Sequence, residues 1–322
     1  MYRTATGKDQ TAHLPARPAQ LDPQNAMSDT LNPLRFESDW GTAFRGGSGG
    51  VGVNDDGPAV PAPDRDESVV RGQQRRTAGD SAAYLLPHLK PGLSLLDVGC
   101  GPGSITADLA ALVAPGPVTA IDLFDGVLDA ARAEAARRTA SNVSFVRADV
   151  HALDCPDDAF DVVHAHQVLQ HVADPVQALR EMRRVCRPGG IVAARDADYG
   201  GFIWHPRLPA LDLWRDLYGK AARANRGEPD AGRRLLSWAL EAGFGGVTPT
   251  ASVWCYATPA TRGWWGAMWA DRILNSGVAR EMLALGLATP AQLEEIATAW
   301  RAWAAAPDGW LSIPHGEILC RA

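Results

Sequence analysis

The sequence predicts an α/β protein, a mostly parallel sheet with helices on both faces. Three observations carry that prediction. Between Leu93 and Arg195, short apolar strand-like runs alternate with helical stretches, the pattern of a parallel sheet covered on both sides. One of those runs leads directly into a glycine-rich turn, Gly99-x-Gly101-x-Gly103, that opens a helix, the place where such sheets hold ligands. Hydrophobic residues make up 46% of the 322-residue chain, enough for one large core or a core with an appended lid.

The elements follow in order. A short helix is expected over Ser81–Leu86, ended by Pro87. Strands are expected over 93–98, 118–122, 143–147 and 160–165, with helices over 104–113 and an Ala-rich 124–138. Asp174-Pro175 combines a side-chain cap with proline in the first helical position, starting a helix that runs to Cys186. Pro188-Gly189-Gly190 then turns the chain into a strand over 191–195. The last third is different in character, holding ten of the eleven tryptophans. There, helices are expected over 210–224 and 232–242 and strands over 247–257 and 310–320. Leu293, Ile296, Trp300 and Trp303 recur at steps of three and four, one face of a further helix.

Residues 1–65 are rich in Gly, Pro, Asp and Ala and bury too little apolar surface to offset chain entropy, so disorder is expected. Within them only Leu34, Phe36, Trp40 and Phe44 offer material for folding onto a surface. The net charge of −6 supplies no basic footprint for nucleic acid. Five scattered cysteines without a C-x-x-C pair make no disulfide framework. No apolar run approaches the ~18 residues that span a bilayer, and the first residues lack the apolar core of a signal peptide. Cytoplasmic residence, without a membrane partner, is the expectation.

The chemistry concentrates around LLDVGCGPGS, residues 95–104. Glycines let the chain turn sharply and let a ligand approach the backbone, and the helix start behind them offers free N–H groups. A nicotinamide-binding turn would carry a third glycine at 104, where this chain has Ser104. Asp122 ends the second strand, where a carboxylate can accept both hydroxyls of a ribose. Asp149 ends the third (SFVRAD), placed to accept from an adenine amino group while the Val150 N–H meets the ring.

This string, followed by Ile121-Asp122, by RADVHALDCPDDAFDVVHAHQVLQHVADP and by LREMRRVCRPGGIV, resembles the class I S-adenosylmethionine (SAM)-dependent methyltransferases over roughly residues 75–200. Within them it is most similar to the small-molecule branch that includes the ubiquinone/menaquinone C-methylases. The resemblance implies a Rossmann-like seven-stranded sheet whose last strand is antiparallel, the two late strands serving as strands six and seven. It implies SAM as cofactor, with Asp97 and the Gly99, Cys100, Gly101, Gly103 loop at its methionyl end. Asp122 and Leu123 would lie at the ribose, Asp149 and Val150 at the adenine, and His166 alongside. Strands six and seven are usually joined by a short hairpin in that family, whereas here about fifty residues intervene. The insertion carries Trp264, Trp265, Met268, Trp269, Trp300 and Trp303. Two readings of it stand together: a helical lid over an acceptor pocket, and a subdomain whose tryptophans are core. The expected organisation is an extension over 1–65, a SAM-binding core over 66–200, and acceptor-binding helices, lid and final strands over 201–322.

For the acceptor, the fourth strand ends in His164-Ala165-His166-Gln167, with His171 one turn on. His166 and His171 are the candidate general bases. No carboxylate completes a metal set with these histidines, so no metal is expected. Where enzymes that methylate nucleobase amino groups present Asn or Asp-Pro-Pro-aromatic, this chain has His166-Gln167-Val168-Leu169, which argues against DNA. Asp196, Asp198 and Tyr199 follow strand five and can face the acceptor or solvent, and Cys255 is expected in the core. Gln167, Tyr199, Trp265 and Trp269 are the candidate acceptor contacts. The acceptor class expected is a small, largely apolar aromatic or heteroaromatic metabolite of the secondary-metabolite kind, methylated at S, O or C and gripped by tryptophans rather than charges. The alternative is a catalytically inactive SAM-binding regulator or subunit.

Overall fold

The structure, a computed structural model, describes residues 72–322. The expected extension 1–65, with Leu34, Phe36, Trp40 and Phe44, lies outside the described residues. Residues 72–74 are helical, and after them comes a one-turn helix, α1 (Ala78–Ser81), capped reciprocally by Thr77 and Asp80. Because that capping box starts the helix early, the expected 81–86 helix is replaced by α1 and a separate 3₁₀ turn, Leu86–His88.

The glycine turn follows β1 (Leu95–Val98), whose four residues are all buried. Then come α2 (Ser104–Val113), β2 (Val118–Asp122), α3 (Asp125–Arg137), β3 (Val143–Arg147) and β4 (Phe160–His166). Helix α4 (Pro175–Val185) begins as expected, the Asp174 side chain accepting from the Gln177 N–H at 2.9 Å. Strand β5 (Cys186–Ala197) is longer than expected: Phe160 already pairs with Cys186, and the Pro-Gly-Gly segment bulges before Ile191 rejoins Val162.

After β5 come β6 (Ile203–His205), α5 (Pro209–Ala224), α6 (Leu235–Glu241) and β7 (Gly246–Tyr256). Helices α7 (Pro259–Asn275), α8 (Gly277–Ala284) and α9 (Pro290–Ala305) precede the last strand, β8 (Trp310–Arg321). The sheet order is β3-β2-β1-β4-β5-β8-β6, with β7 on the other edge of β8. Strands β1 to β5 run parallel, and β8 is antiparallel to β5, β6 and β7. The two late strands therefore take the places expected of strands six and seven. The three-residue β6 makes eight strands rather than seven, and the sequence gives it no alternation long enough to recognise.

The inserted helices have their own core. Trp214, Trp269, Trp300 and Trp303 are among its fully buried side chains. Trp214 meets Trp269 and Trp300 edge-on, at 4.6 and 5.0 Å between ring centroids, the arrangement that opposed ring quadrupoles favour. The α9 face read from the sequence is here too: Leu293, Ile296, Trp300 and Trp303 are all buried.

Candidate active site

The strand order reverses between β1 and β4, and ligands of such sheets sit at the carboxyl ends of the strands flanking that point. At the end of β1 the chain is left-handed three times in five residues, with φ of +63° at Gly99, +54° at Gly101 and +83° at Gly103. Space is short as well. A Cβ on Gly99 would stand 2.5 Å from Val168 Cγ2, and one on Gly103 3.0 Å from the Ala131 Cα and Cβ. Only glycine meets both demands.

The turn delivers the Gly101 N–H to Asp122 Oδ2 at 3.2 Å, while the Phe124 N–H reaches Oδ1 at 3.3 Å. Both are long for bonds to a carboxylate. Burial pushes the Asp122 carboxyl up to about 6 despite them, so the group is desolvated and under-served by donors. Leu123 beside it is 45% exposed, an apolar platform at the same edge. Across the gap, Asp149 Oδ1 accepts from the His151 N–H at 2.9 Å and lies 2.7 Å from His151 Nδ1. Burial would raise the Asp149 carboxyl, but these bonds hold it below the usual carboxylate range; Val150 next to it is buried. A half-buried carboxylate with only long hydrogen bonds, an exposed leucine and an ionised aspartate along one edge suit the two hydroxyls, the ring face and the amino group of an adenosyl ligand.

Asp97 and Cys100 are placed differently. Asp97 is buried, and both its oxygens have protein partners: Thr106 Oγ1 donates to Oδ2 at 2.6 Å, and His164 Nδ1 lies 2.8 Å from Oδ1. It anchors the start of α2 to β4. The Cys100 thiol is held well above its ordinary range by burial and by the charges of Asp122 and Asp97.

At the end of β4, His166 is buried with neither ring nitrogen hydrogen-bonded. Burial first, then the charges of Arg76 and Arg195, keep it neutral at physiological pH. His171 is pushed down to about 3 by burial and Arg272, and its Nε2 lies 2.9 Å from Gln170 Nε2. Gln167 between them has φ +53°, a conformation that costs a side-chain-bearing residue about 1 kcal/mol or more. Its Nε2 is 3.0 Å from His315 Nε2, while His315 Nδ1 is 3.1 Å from the Ile313 carbonyl. A carbonyl can only accept, so Nδ1 carries the proton, Nε2 accepts, and the carboxamide of Gln167 must turn its NH₂ to His315.

Beyond these strand ends lies a cavity of about 310 Å³, enclosed by α7, β7 and the segment 72–80. Gln167, Tyr199, Trp265 and Trp269, the four candidate acceptor contacts, all line it; His166 and His171 do not. Trp264 lines it as well, whereas Trp300 and Trp303 are wholly core. Within the insertion, Trp264, Trp265 and Trp269 thus face the cavity, while Trp300 and Trp303 serve the core. Three residues sit otherwise than expected. Cys255 is exposed and lines the cavity rather than the core, because β7 is an edge strand. Asp196 is neither solvated nor facing the cavity: it is fully buried, accepts from the Gln170 N–H at 3.1 Å, and is pushed up to about 7 by burial. Asp198 likewise turns away, capping the next 3₁₀ turn through the Gly201 N–H and pairing with Arg233.

Several site residues escaped the sequence reading. Arg75, Arg76 and Asp80 line the cavity from a stretch with no periodic signal, and Arg272 enters from α7. The Arg75-Arg76 pair just before α1 was the available clue. Trp254 and Tyr256, alternate residues of β7, form another wall, and the Trp254 Nε1–H donates to the Asp80 carbonyl at 2.8 Å, joining β7 to α1. Behind them Arg195 and Glu317, both buried, pair at 3.2 Å. Ser252 and Thr250 donate to the same carboxylate, tying β5, β7 and β8 together. Among the described residues no group of three or more His, Cys, Asp or Glu is placed to hold a metal, and no helix is long and apolar enough to cross a membrane.

Comparison with known proteins agrees with this geometry. A family profile described as Methyltransferase domain matches residues 96–194, from β1 to β5. An uncharacterized methyltransferase of Schizosaccharomyces pombe is 35% identical over 256 residues, 76% of this chain and 90% of that protein. A ubiquinone/menaquinone biosynthesis C-methyltransferase of Shewanella oneidensis is 40% identical over 103 residues, covering 31% of this chain and 41% of the relative. The YcgJ protein of Bacillus subtilis shares the fold, with a TM-score of 0.50 at 15% identity over 74% of this chain and 97% of its own. A sheet of this order, its glycine turn inside the matched segment, and a methyltransferase aligned over nine-tenths of its length have one reading: the chain belongs to the class I methyltransferases, enzymes that use SAM as their cofactor.

Proposed function

We propose that this enzyme methylates a small, largely apolar metabolite bearing an aromatic or heteroaromatic ring, held in the cavity between β7 and α7. The observation that supports this most is the wall itself: Tyr199, Trp254, Tyr256, Trp264, Trp265 and Trp269 line one cavity at the carboxyl ends of β4 and β5. Flat, rigid side chains stack on a ring and exclude water. A protein or nucleic-acid acceptor needs an open groove instead. In this reading residues 66–200 hold the cofactor and 201–322 supply the acceptor walls.

The cofactor, when bound, supplies a methyl group on a positively charged sulfur. Gly99, Gly101 and Gly103 shape its seat, with Asp97 and Cys100 beneath them. Asp122 and Leu123 meet its ribose, and Asp149 and Val150 its adenine. Gln167, fixed by His315, orients the acceptor, and positioning of this kind supplies a large part of the barrier reduction. His166, buried and without a hydrogen-bond partner at either ring nitrogen, and His171 are the base candidates; neither lines the cavity, so each would receive the acceptor's proton through an intervening group rather than by direct contact. Both rings are neutral but weakly basic, so acceptors that ionise readily, thiols or acids, suit the site better than those needing a strong base.

The test is formation of S-adenosylhomocysteine by the full chain with a panel of small aromatic thiols, phenols and carboxylic acids. Turnover of at least one member with SAM consumed in equal amount is the expected result. Tight SAM binding with no turnover across the panel would favour the inactive SAM-binding module instead.

A further inference from the structure

Ser104, the residue that sets this glycine turn apart from a nicotinamide-binding one, carries a tether. Its hydroxyl donates to the Gln73 carbonyl at 3.1 Å, and the Ala78 N–H donates to Asp108 Oδ2 at 2.8 Å. Helix α2 thus holds the segment 72–80 at two points. The same segment lines the acceptor cavity through Gly72, Arg75, Arg76 and Asp80, so it touches both halves of the site. Gln73 is not among the cavity residues. Its side chain lies on the glycine turn instead: a Cβ on Gly101 would stand 3.6 Å from Gln73 Oε1 and 3.9 Å from Gln73 Cδ. Gln73 is half-buried, and its carboxamide has no hydrogen-bond partner among the described residues. The turn itself has little left to offer a charged ligand end. The N–H groups of Cys100, Gly101 and Gly103 are given to Ile121, Asp122 and Cys100, and both oxygens of Asp97 are taken by Thr106 and His164.

We propose that Gln73 is a cofactor-binding residue, its carboxamide hydrogen-bonded to the amino-acid end of SAM above Gly101. This rests on the reading that the glycine turn seats that end. The amino-acid end carries an ammonium and a carboxylate, and either is costly to bury without a partner. A carboxamide donates through Nε2 and accepts through Oε1, so it serves both charges of one zwitterion, and bonds to a charged partner are about twice as strong as neutral ones. Because Ser104 already fixes the Gln73 carbonyl, little freedom remains to be lost when the side chain engages. The contact is made by the side chain alone and leaves the backbone bonds of 72–80 as they are. One short segment then reaches the cofactor through Gln73 and walls the acceptor cavity through its neighbours.

The test compares S-adenosylhomocysteine with methylthioadenosine, which keeps the nucleoside and the sulfur but lacks the amino-acid end, by calorimetry on the full chain. The parental protein is expected to bind S-adenosylhomocysteine about tenfold more tightly or better. Gln73→Ala should weaken S-adenosylhomocysteine about tenfold while leaving methylthioadenosine within about threefold. Gln73→Met, which keeps the length of the side chain without its polar atoms, should give the same pattern and serves as the parallel variant if Gln73→Ala does not fold. S-adenosylhomocysteine affinity that stays within about threefold of parental, or an equal weakening of both ligands, would overturn the proposal; equal weakening would leave Gln73 a part of the framework only. If the parental chain binds the two ligands equally, the glycine turn does not seat the amino-acid end, and the proposal falls with that reading. If it binds neither, the cofactor site itself is misplaced.

Discussion

The two halves of the sheet's carboxyl edge are built on opposite principles. Over β1, β2 and β3 the site is backbone and carboxylate: three left-handed glycines within five residues, then Asp122 and Asp149 one strand further each. Over β4, β5 and β7 it is side chain and cation: indole walls, stacked guanidiniums and a strained glutamine drawn from segments as far apart as 72–80 and 253–272. The first half is the one we assign to the cofactor, and its requirements are conformational and sit close together in the chain. The second is the one we assign to the acceptor, and its parts meet only after the helices of the insertion have packed.

This contrast sets the size of the effects expected from breaking each half. The largest should come from Gly99→Ala, where a left-handed φ combines with a 2.5 Å approach to Val168. A loss of about 3 kcal/mol or more is expected, read as a lower Tm together with lost SAM binding; a variant with parental affinity would show that the turn tolerates a side chain. Asp122→Ala is next. Removing charge-assisted bonds worth about 1.5–3 kcal/mol should weaken SAM roughly 10- to 150-fold by calorimetry; an unchanged affinity would sink the ribose assignment.

A pH titration sharpens the same assignment. The free enzyme's Asp122 carboxyl sits at about 6, raised by burial, and the ribose hydroxyls prefer its charged form. SAM affinity should be full above that pH and fall as pH drops through it, by up to about tenfold per unit. Asp122→Asn should flatten that profile; an unchanged slope would assign the proton elsewhere. The smallest expected effect is on the other side. Trp265→Ala should weaken aromatic acids while leaving SAM within about threefold, since an exchange that large is only about 0.6 kcal/mol. Trp269→Ala is a poorer probe, because Trp269 is also core against Trp214 and Trp300 and its loss should cost about 3–5 kcal/mol of stability.

How much of this was legible in the sequence follows from the same contrast. Gly99 to Gly103, Asp122 and Asp149 are recognisable because each stands at a strand end whose apolar run announces it. The late strands could be read because β8 is buried along most of its length and β7 pairs with it throughout. Cys255 was misplaced because an edge strand exposes residues whose type suggests burial. Asp196 was misplaced because a polar residue after an apolar strand resembles a loop, although the Gln170 N–H holds it inside. The arginines were missed for a different reason: stacking of Arg76 on Trp254 joins residues 178 positions apart, and nothing local in either segment reports it.

The central claim, that the acidic glycine-rich half takes the cofactor and the basic aromatic half does not, can be tested without knowing the acceptor. Hydrogen exchange of the full chain should be measured with and without saturating SAM. Slowed exchange confined to 99–104, 122–124 and 149–151, with 254–272 unchanged, is the predicted result. Protection concentrated in 254–272 would place the cofactor among the tryptophans and contradict the division of the site.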